Sequence, residues 1–156
     1  TVSSDEKAAH AVAGGAVHIV NYRDDDAATQ IMDLTEGAGV DRIIEVDLAA
    51  NLGLSSTVLK SEGMISTYAS SGDAQNLLLR MALKNAVVRF MVLHSVPRAA
   101  IDQARADIAD WLVEDPAAGR AIHTVAGTFP LAECAAAHKF VESDSKLGTV
   151  VVEPDK

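Results

Sequence analysis

Ser3, Ser4 and Lys7 stand just past a short strand end, at the start of a helix read from DEKAAHAVA. Two hydroxyls, the unpaired N–H groups of a first helical turn and an ammonium one turn further on make a seat for a phosphate. Tyr22 ends the adjacent strand on the same edge and offers a flat ring for stacking. Asp47 ends another strand, at the place where α/β sheets form their ligand crevice. From residue types alone, a capped helix with a surface lysine accounts for Ser3, Ser4 and Lys7 equally well.

Other chemistry-bearing patterns are weaker. Gly37-Ala-Gly39 is the one G-x-G match, but Arg42 takes the place of the third glycine and the match lies between a helix and a strand. A dinucleotide fingerprint needs a strand before it and a helix after it, so a plain turn is the better reading. There is no P-loop lysine motif, no G-x-S-x-G and no H-E-x-x-H. His10, His18, His94, His123 and His138 form no pair with ligand spacing and a carboxylate on the same element. His138 reads as a packed or capped residue and Cys134 as a small buried one. Asp5, Asp24, Asp25 and Asp26 occupy helix starts, where carboxylates complement the macrodipole. No residue is assigned a catalytic role, and none a metal.

The elements that must position these groups alternate. Gly14 and Gly15 end the first helix; AVHIVNY (16–22) reads as a strand. A helix opened by Asp24–Asp26 carries Ala28, Ile31 and Met32 and stops at Gly37–Gly39. VDRIIEVD (40–47) is a strand, NLGLSSTVLK a helix, and MISTYAS after Gly63 a strand. LLLRMALKN is helical and AVVRFMVLHS (86–95) is the longest β-rich run. Pro97 opens a helix whose buried face is expected at Ile101, Ala104, Ile108, Trp111 and Leu112. PAAGR breaks the chain; IHTVAGTF is extended, PLAECAAAHKFVES helical, and LGTVVVE a last strand. This predicts an α/β fold, Rossmann-type, with a mostly parallel sheet and helices on both faces. RIIEV, VVRFMVL and TVVV are apolar throughout, as parallel strands covered on both faces should be.

Composition bounds the rest. The 156 residues are 49% apolar and 22% charged, enough for about one domain with its own core. Thirteen Lys and Arg against 22 Asp and Glu give a net charge of −9, which argues against non-specific binding to nucleic acid or anionic lipid. One cysteine forbids an intrachain disulfide and a Cys-rich zinc site. No apolar run reaches the roughly 18 residues of a membrane span. TVSSDEKAAH lacks the pattern of a signal peptide, so a cytoplasmic location is expected. A signalling receiver with Asp47 as phosphoacceptor is disfavoured, because it lacks an acidic pair after its first strand and a later lysine.

Three stretches carry a family resemblance. Thr1–Ala8 shows a TV-S-S-x-x-K-A start; Gly15–Arg23 shows a G-A-x-x-I-V-N-Y-R strand; Thr35–Asp41 shows T-x-G-x-G-V-D. The ending, FPLAECAAAHKFVESDSKLGTVVVEP, completes the pattern. In this order they resemble the cofactor domain of quinone oxidoreductases of the medium-chain dehydrogenase/reductase superfamily, over essentially the whole chain.

The resemblance implies NADPH as cofactor and hydride transfer to a quinone or other conjugated carbonyl. It implies that Ser3, Ser4 and Lys7 bind the adenosine 2′-phosphate and that Tyr22 packs beside the adenine. Asp47 would face the middle of the cofactor. Thr67, Tyr68 and Ala69 would lie near the nicotinamide ribose, and Met91, Val92 and Leu93 near the nicotinamide. Val46-Asp47-Leu48-Ala49 departs from the family's D-S-V-G turn, Tyr68 replaces a glycine, and Thr149 replaces a frequent lysine. The resemblance also places a first strand, its glycine-rich loop and an N-terminal catalytic domain ahead of Thr1. The sequence is then a piece of a longer protein, 1–156 forming one partial dinucleotide-binding domain, or another segment fills the gap. No general acid is evident here, so the proton comes from solvent or from that other domain. A homodimer through the strand at 86–95 is implied too. The alternatives are a zinc-type alcohol dehydrogenase of the same superfamily and a non-catalytic binding or structural module.

Overall fold

A computed structural model describes residues 1–23, 26–71, 78–117, 123–143 and 146–154. Asp24, Asp25, Leu77, Ala118–Arg120 and Ile122, which the sequence reading assigns to elements, lie outside these residues. The chain divides into two compact units. One comprises Tyr22–Gln103 and the other Thr1–Asn21 with Ala104–Lys156.

The first helix of the Tyr22–Gln103 unit is α2 (Ala27–Leu34), capped by Asp26 through the Thr29 N–H. Thr35 ends it, and its hydroxyl oxygen accepts the Gly39 N–H at 3.1 Å. This tight exit needs glycine. Gly39 has φ +81°, and a Cβ there would stand 2.5 Å from the Val58 carbonyl oxygen. Then come β1 (Val40–Glu45), α3 (Leu48–Val58), β2 (Leu59–Thr67), α4 (Leu78–Leu83) and β3 (Val87–Phe90). The three strands form one parallel sheet in the order β1-β2-β3. Parallel neighbours joined through helices are the α/β arrangement expected from the alternation.

The core of this unit is small. Leu48 and Leu52 of α3, Leu59 and Ile65 of β2, and Met81 of α4 form it, with Ile43, Ala86 and Val88 packed around them. Each of the five buried side chains contributes on the order of 1.5–3 kcal/mol by leaving water.

β2 begins four residues before Gly63, earlier than the expected start at Met64. Its first part is bulged: Val40 pairs with Leu59 but Arg42 with Met64. Glu62 sits at φ +62° in the bulge, and its N–H donates to the Lys84 carbonyl at 2.7 Å. Sequence periodicity reads the ordered ladder and passes over a bulge.

The second unit holds α1 (Asp5–Ala13), β4 (Val125–Pro130), α6 (Cys134–Glu142) and β5 (Thr149–Glu153). β4 and β5 pair in parallel, and α6 packs on both. Phe129 and Phe140 meet at 5.9 Å between ring centres, tilted by 49°, a favourable aromatic geometry. Val2, Val20 and Ala137 are buried.

Three expectations are corrected. AVHIVNY is no strand: Val2 and Asn21 form one isolated parallel bridge, with the Val2 N–H on the Val20 carbonyl at 2.9 Å. A single bridge is not a ladder, so the segment stays outside the named strands. AVVRFMVLHS is a four-residue strand, because Leu93–Ser95 turn into a 3₁₀ helix. β1, β3 and β5 are also not covered on both faces: Glu45 is their one buried residue, and Ile44 is 73% exposed.

A fourth correction concerns α5 (Arg98–Glu114), which crosses the boundary at Gln103 and Ala104. None of Ile101, Ala104, Ile108, Trp111 and Leu112 is buried. Ile101, Trp111 and Leu112 are half-buried and Ala104 and Ile108 exposed; an apolar stripe becomes a core face only under a facing layer.

Candidate functional site

The start of α1 brings Ser3, Ser4 and Lys7 together. Ser4 is the N-cap, and its Oγ accepts the Lys7 backbone N–H at 3.3 Å. The side chain of Lys7 turns back, and its Nζ donates to Ser3 Oγ at 2.9 Å. Ser3 is buried and Lys7 half-buried. The cluster thus holds an ammonium with two remaining donors, two hydroxyls and the positive end of a nine-residue helix. Asp5 and Glu6 occupy the same turn and are exposed, so Lys7 is the one cation of the turn. This donor set fits a phosphate. Tyr22 follows Asn21 of the bridge and is exposed.

In the other unit, the carboxyl end of the three-stranded sheet gathers most of the remaining candidates. Glu45 pairs with Thr67, and Thr67 with Phe90, so the three lie side by side across the sheet. Thr67 is fully buried. Its hydroxyl donates to the Ala69 carbonyl at 2.9 Å, and its carbonyl accepts the Met91 N–H at 2.8 Å. Leu48, the first residue of α3, donates its N–H to the same Ala69 carbonyl at 3.2 Å. Tyr68, Met91, Val92 and Leu93 are exposed along this edge. In open α/β sheets this is the edge that receives ligands.

Asp47 does not end a buried strand; it is the N-cap of α3. One carboxylate oxygen accepts the Ala50 N–H at 3.3 Å and the Ser71 N–H at 2.8 Å, and the other accepts the Ser71 hydroxyl. The hydroxyl and N–H of Ser71 hold its carboxyl below the ordinary carboxylate value.

Glu45, Asn51, Ser55 and Ser71 complete this network and were not singled out from sequence. Glu45 is 5% exposed. Its Oε1 accepts the Asp47 N–H at 2.9 Å and the Asn51 side-chain amide at 2.8 Å. Its Oε2 accepts the Ser55 hydroxyl at 3.2 Å. An acid inside the apolar run RIIEV was the available signal. The Asp47–Ser71 contact spans 24 residues and leaves no trace in spacing.

His138 is exposed rather than packed, and Cys134 is half-buried at the first residue of α6. Among the described residues no group of three or more His, Cys, Asp or Glu is placed to hold a metal ion. None of their helices is long and apolar enough to cross a membrane.

Residues 14–152 match the family model described as zinc-binding dehydrogenase. A 2-haloacrylate reductase of Burkholderia sp is 30% identical in an alignment of 156 positions that covers 99% of this chain and 47% of that protein. The crystal structure of a 2-haloacrylate reductase superposes with a TM-score of 0.73 over 99% of this chain and 49% of its own. Mycobacterial Rv1454c, solved with NADPH, gives a TM-score of 0.78 at 25% identity, over 98% of this chain and 48% of its own. A quinone oxidoreductase of Pseudomonas syringae pv. Tomato gives 0.75 at 25% identity, over 98% and 47%. The chain therefore spans about half the length of the relatives it matches. The shared fold is a Rossmann-like α/β arrangement. With the match running from the end of α1 to the last strand, in the element order derived above, the chain belongs to the zinc-binding dehydrogenase family.

Proposed function

We propose that this chain is the cofactor-binding part of an NADPH-dependent oxidoreductase that transfers hydride to a quinone or other conjugated carbonyl. The observation that carries the reading is the Lys7–Ser3 contact beside the Ser4 cap. It gathers an ammonium and two hydroxyls at a helix N-terminus with no carboxylate at positions 3 and 4, where a ribose diol would call for one. The NADPH bound by the mycobacterial relative, and the haloacrylate and quinone named for two others, support the same reading.

We assign the roles by the family resemblance. Ser3, Ser4 and Lys7 grip the 2′-phosphate, and Tyr22 packs on the adenine. Thr67, Tyr68 and Ala69 border the nicotinamide ribose, with Asp47 at the same sheet edge. The backbone of Met91, Val92 and Leu93 flanks the ring. When bound, the reduced nicotinamide supplies the hydride. These residues orient it and exclude water; no proton donor is assigned to this chain, and the proton comes from solvent or from residues outside it. Two copies pair through β3, whose edge away from β2 carries no partner among the described residues.

The described residues offer no zinc-ligand set. The family description nevertheless favours one rival, a zinc-type alcohol dehydrogenase. Stopped-flow oxidation of NADPH and NADH by the full-length protein, with a quinone, a 2-haloacrylate and an aldehyde as acceptors, separates the two. NADPH oxidation by the conjugated acceptors is the expected result. Reduction of the aldehyde alone, dependent on protein-bound zinc, would overturn the proposal in favour of the rival.

A further inference from the structure

We propose that Glu45 is a positioning residue: it fixes Asp47, and Asp47 latches the loop 67–71 against the start of α3, shaping the nicotinamide side of the cofactor site. The inference rests on the cofactor reading given above.

Glu45 occupies a position made for an apolar residue. It lies two residues from Ile43, on the same face of β1, and Ile43 packs against the core. Burying a carboxylate there is costly unless its oxygens are met. They are met by three neutral donors: the Asp47 N–H, the Asn51 amide and the Ser55 hydroxyl. These donors stand two, six and ten residues further along the chain, in the β1–α3 link and the first eight residues of α3. One side chain thus ties the strand end to the whole opening of the helix.

What Glu45 holds in turn holds the loop. The backbone of Asp47 is committed inward to Glu45, so its side chain is left for Ala50 and Ser71. Leu48, next in the chain, gives its N–H to the Ala69 carbonyl. The contacts of Ala69 with Leu48 and of Ser71 with Asp47 therefore come from the segment that Glu45 fixes; the Thr67 hydroxyl on Ala69 and the Met91 N–H on the Thr67 carbonyl add to them. The loop borders the carboxyl end of β2, where the sheet takes its ligand. Glu45 touches no ligand; it acts through Asp47 and Leu48.

The test uses the full-length protein with E45A, E45Q and D47A. Amide exchange over 67–71 reads the latch. Titration with NADPH, and with 2′,5′-ADP as a probe of the adenosine half alone, reads the site. E45A is expected to speed exchange of the loop and weaken NADPH about tenfold, the scale of a lost buried hydrogen bond, with 2′,5′-ADP unchanged to within about twofold. E45Q is expected to behave as the parent protein, because its carbonyl accepts from Asp47 and Asn51 while its amide donates to Ser55 Oγ. If E45A does not fold, D47A carries the same expectation, since it cuts the latch and leaves the buried contacts of Glu45 in place. Unchanged loop exchange, or equal losses for NADPH and 2′,5′-ADP, overturns the proposal. A parent protein that binds neither ligand overturns the cofactor reading instead, and loop exchange alone then judges the latch.

Discussion

Lys7→Ala gives the sharpest test of the phosphate seat. Lys7 Nζ already spends one donor on Ser3 Oγ, leaving two for an incoming phosphate. A hydrogen bond to a charged group contributes about 1.5–3 kcal/mol. Lys7 is half-buried, so water competes and the lower end applies. The remaining groups of the turn push the other way: without Lys7 only Asp5 and Glu6 carry charge there, and they repel a dianion. We expect NADPH to bind about 10–30-fold more weakly. NADH has no 2′-phosphate and should change by less than about twofold. The substitution leaves the backbone N–H of residue 7 on Ser4 Oγ, so the helix cap survives and Tm should hold. Calorimetric titration with both cofactors at low and high salt is the assay, and the NADPH penalty should shrink as salt rises. Equal weakening of NADPH and NADH, or none, would refute the assignment of Lys7.

Three further outcomes follow from the geometry. The Asp47 carboxyl is held below its ordinary value near 3.8, so its contribution to stability is complete above that value and is lost as pH falls through the lowered one. Urea midpoints of the parent and D47A should therefore differ at pH 6 and converge at acid pH; a gap that widens in acid would contradict this. Gly39→Ala should cost more than about 1 kcal/mol in equilibrium unfolding, since it forces a side chain into φ +81° against the Val58 carbonyl. Val92→Asp places a charge on the exposed segment that follows β3, and sedimentation should show a loss of dimer; a variant that stays dimeric removes the pairing from consideration.

The alternation of elements was legible because α2 and α6 carry apolar stripes at the helical period, while β1 and β5 are short β-branched runs bounded by turns. The Ser3–Ser4–Lys7 cluster was legible because its members are local, and one helix turn brings them together. Two kinds of feature were not. Pairing decides whether 16–22 or 86–95 becomes a ladder, and pairing lies outside the segment itself. Networks joined across the chain, such as Asp47 with Ser71, depend on where β2 returns. Glu45 shows the third difficulty: an acid in an apolar run reads as an edge or a blemish until its three donors are seen.

Thr67 answers two demands with one small side chain, and this restricts how the sequence can drift. Serine would keep the hydroxyl for the Ala69 carbonyl but leave a methyl-sized void at a position with no exposure. Valine would keep the shape and strand that hydroxyl contact, leaving the carbonyl to Leu48 alone. Larger residues would have to displace their neighbours, because position 67 has no exposure. Position 67 is therefore a narrow gate in sequence space: a library randomised there and selected for folding should return threonine almost alone, while its neighbour Tyr68, facing water, admits many side chains.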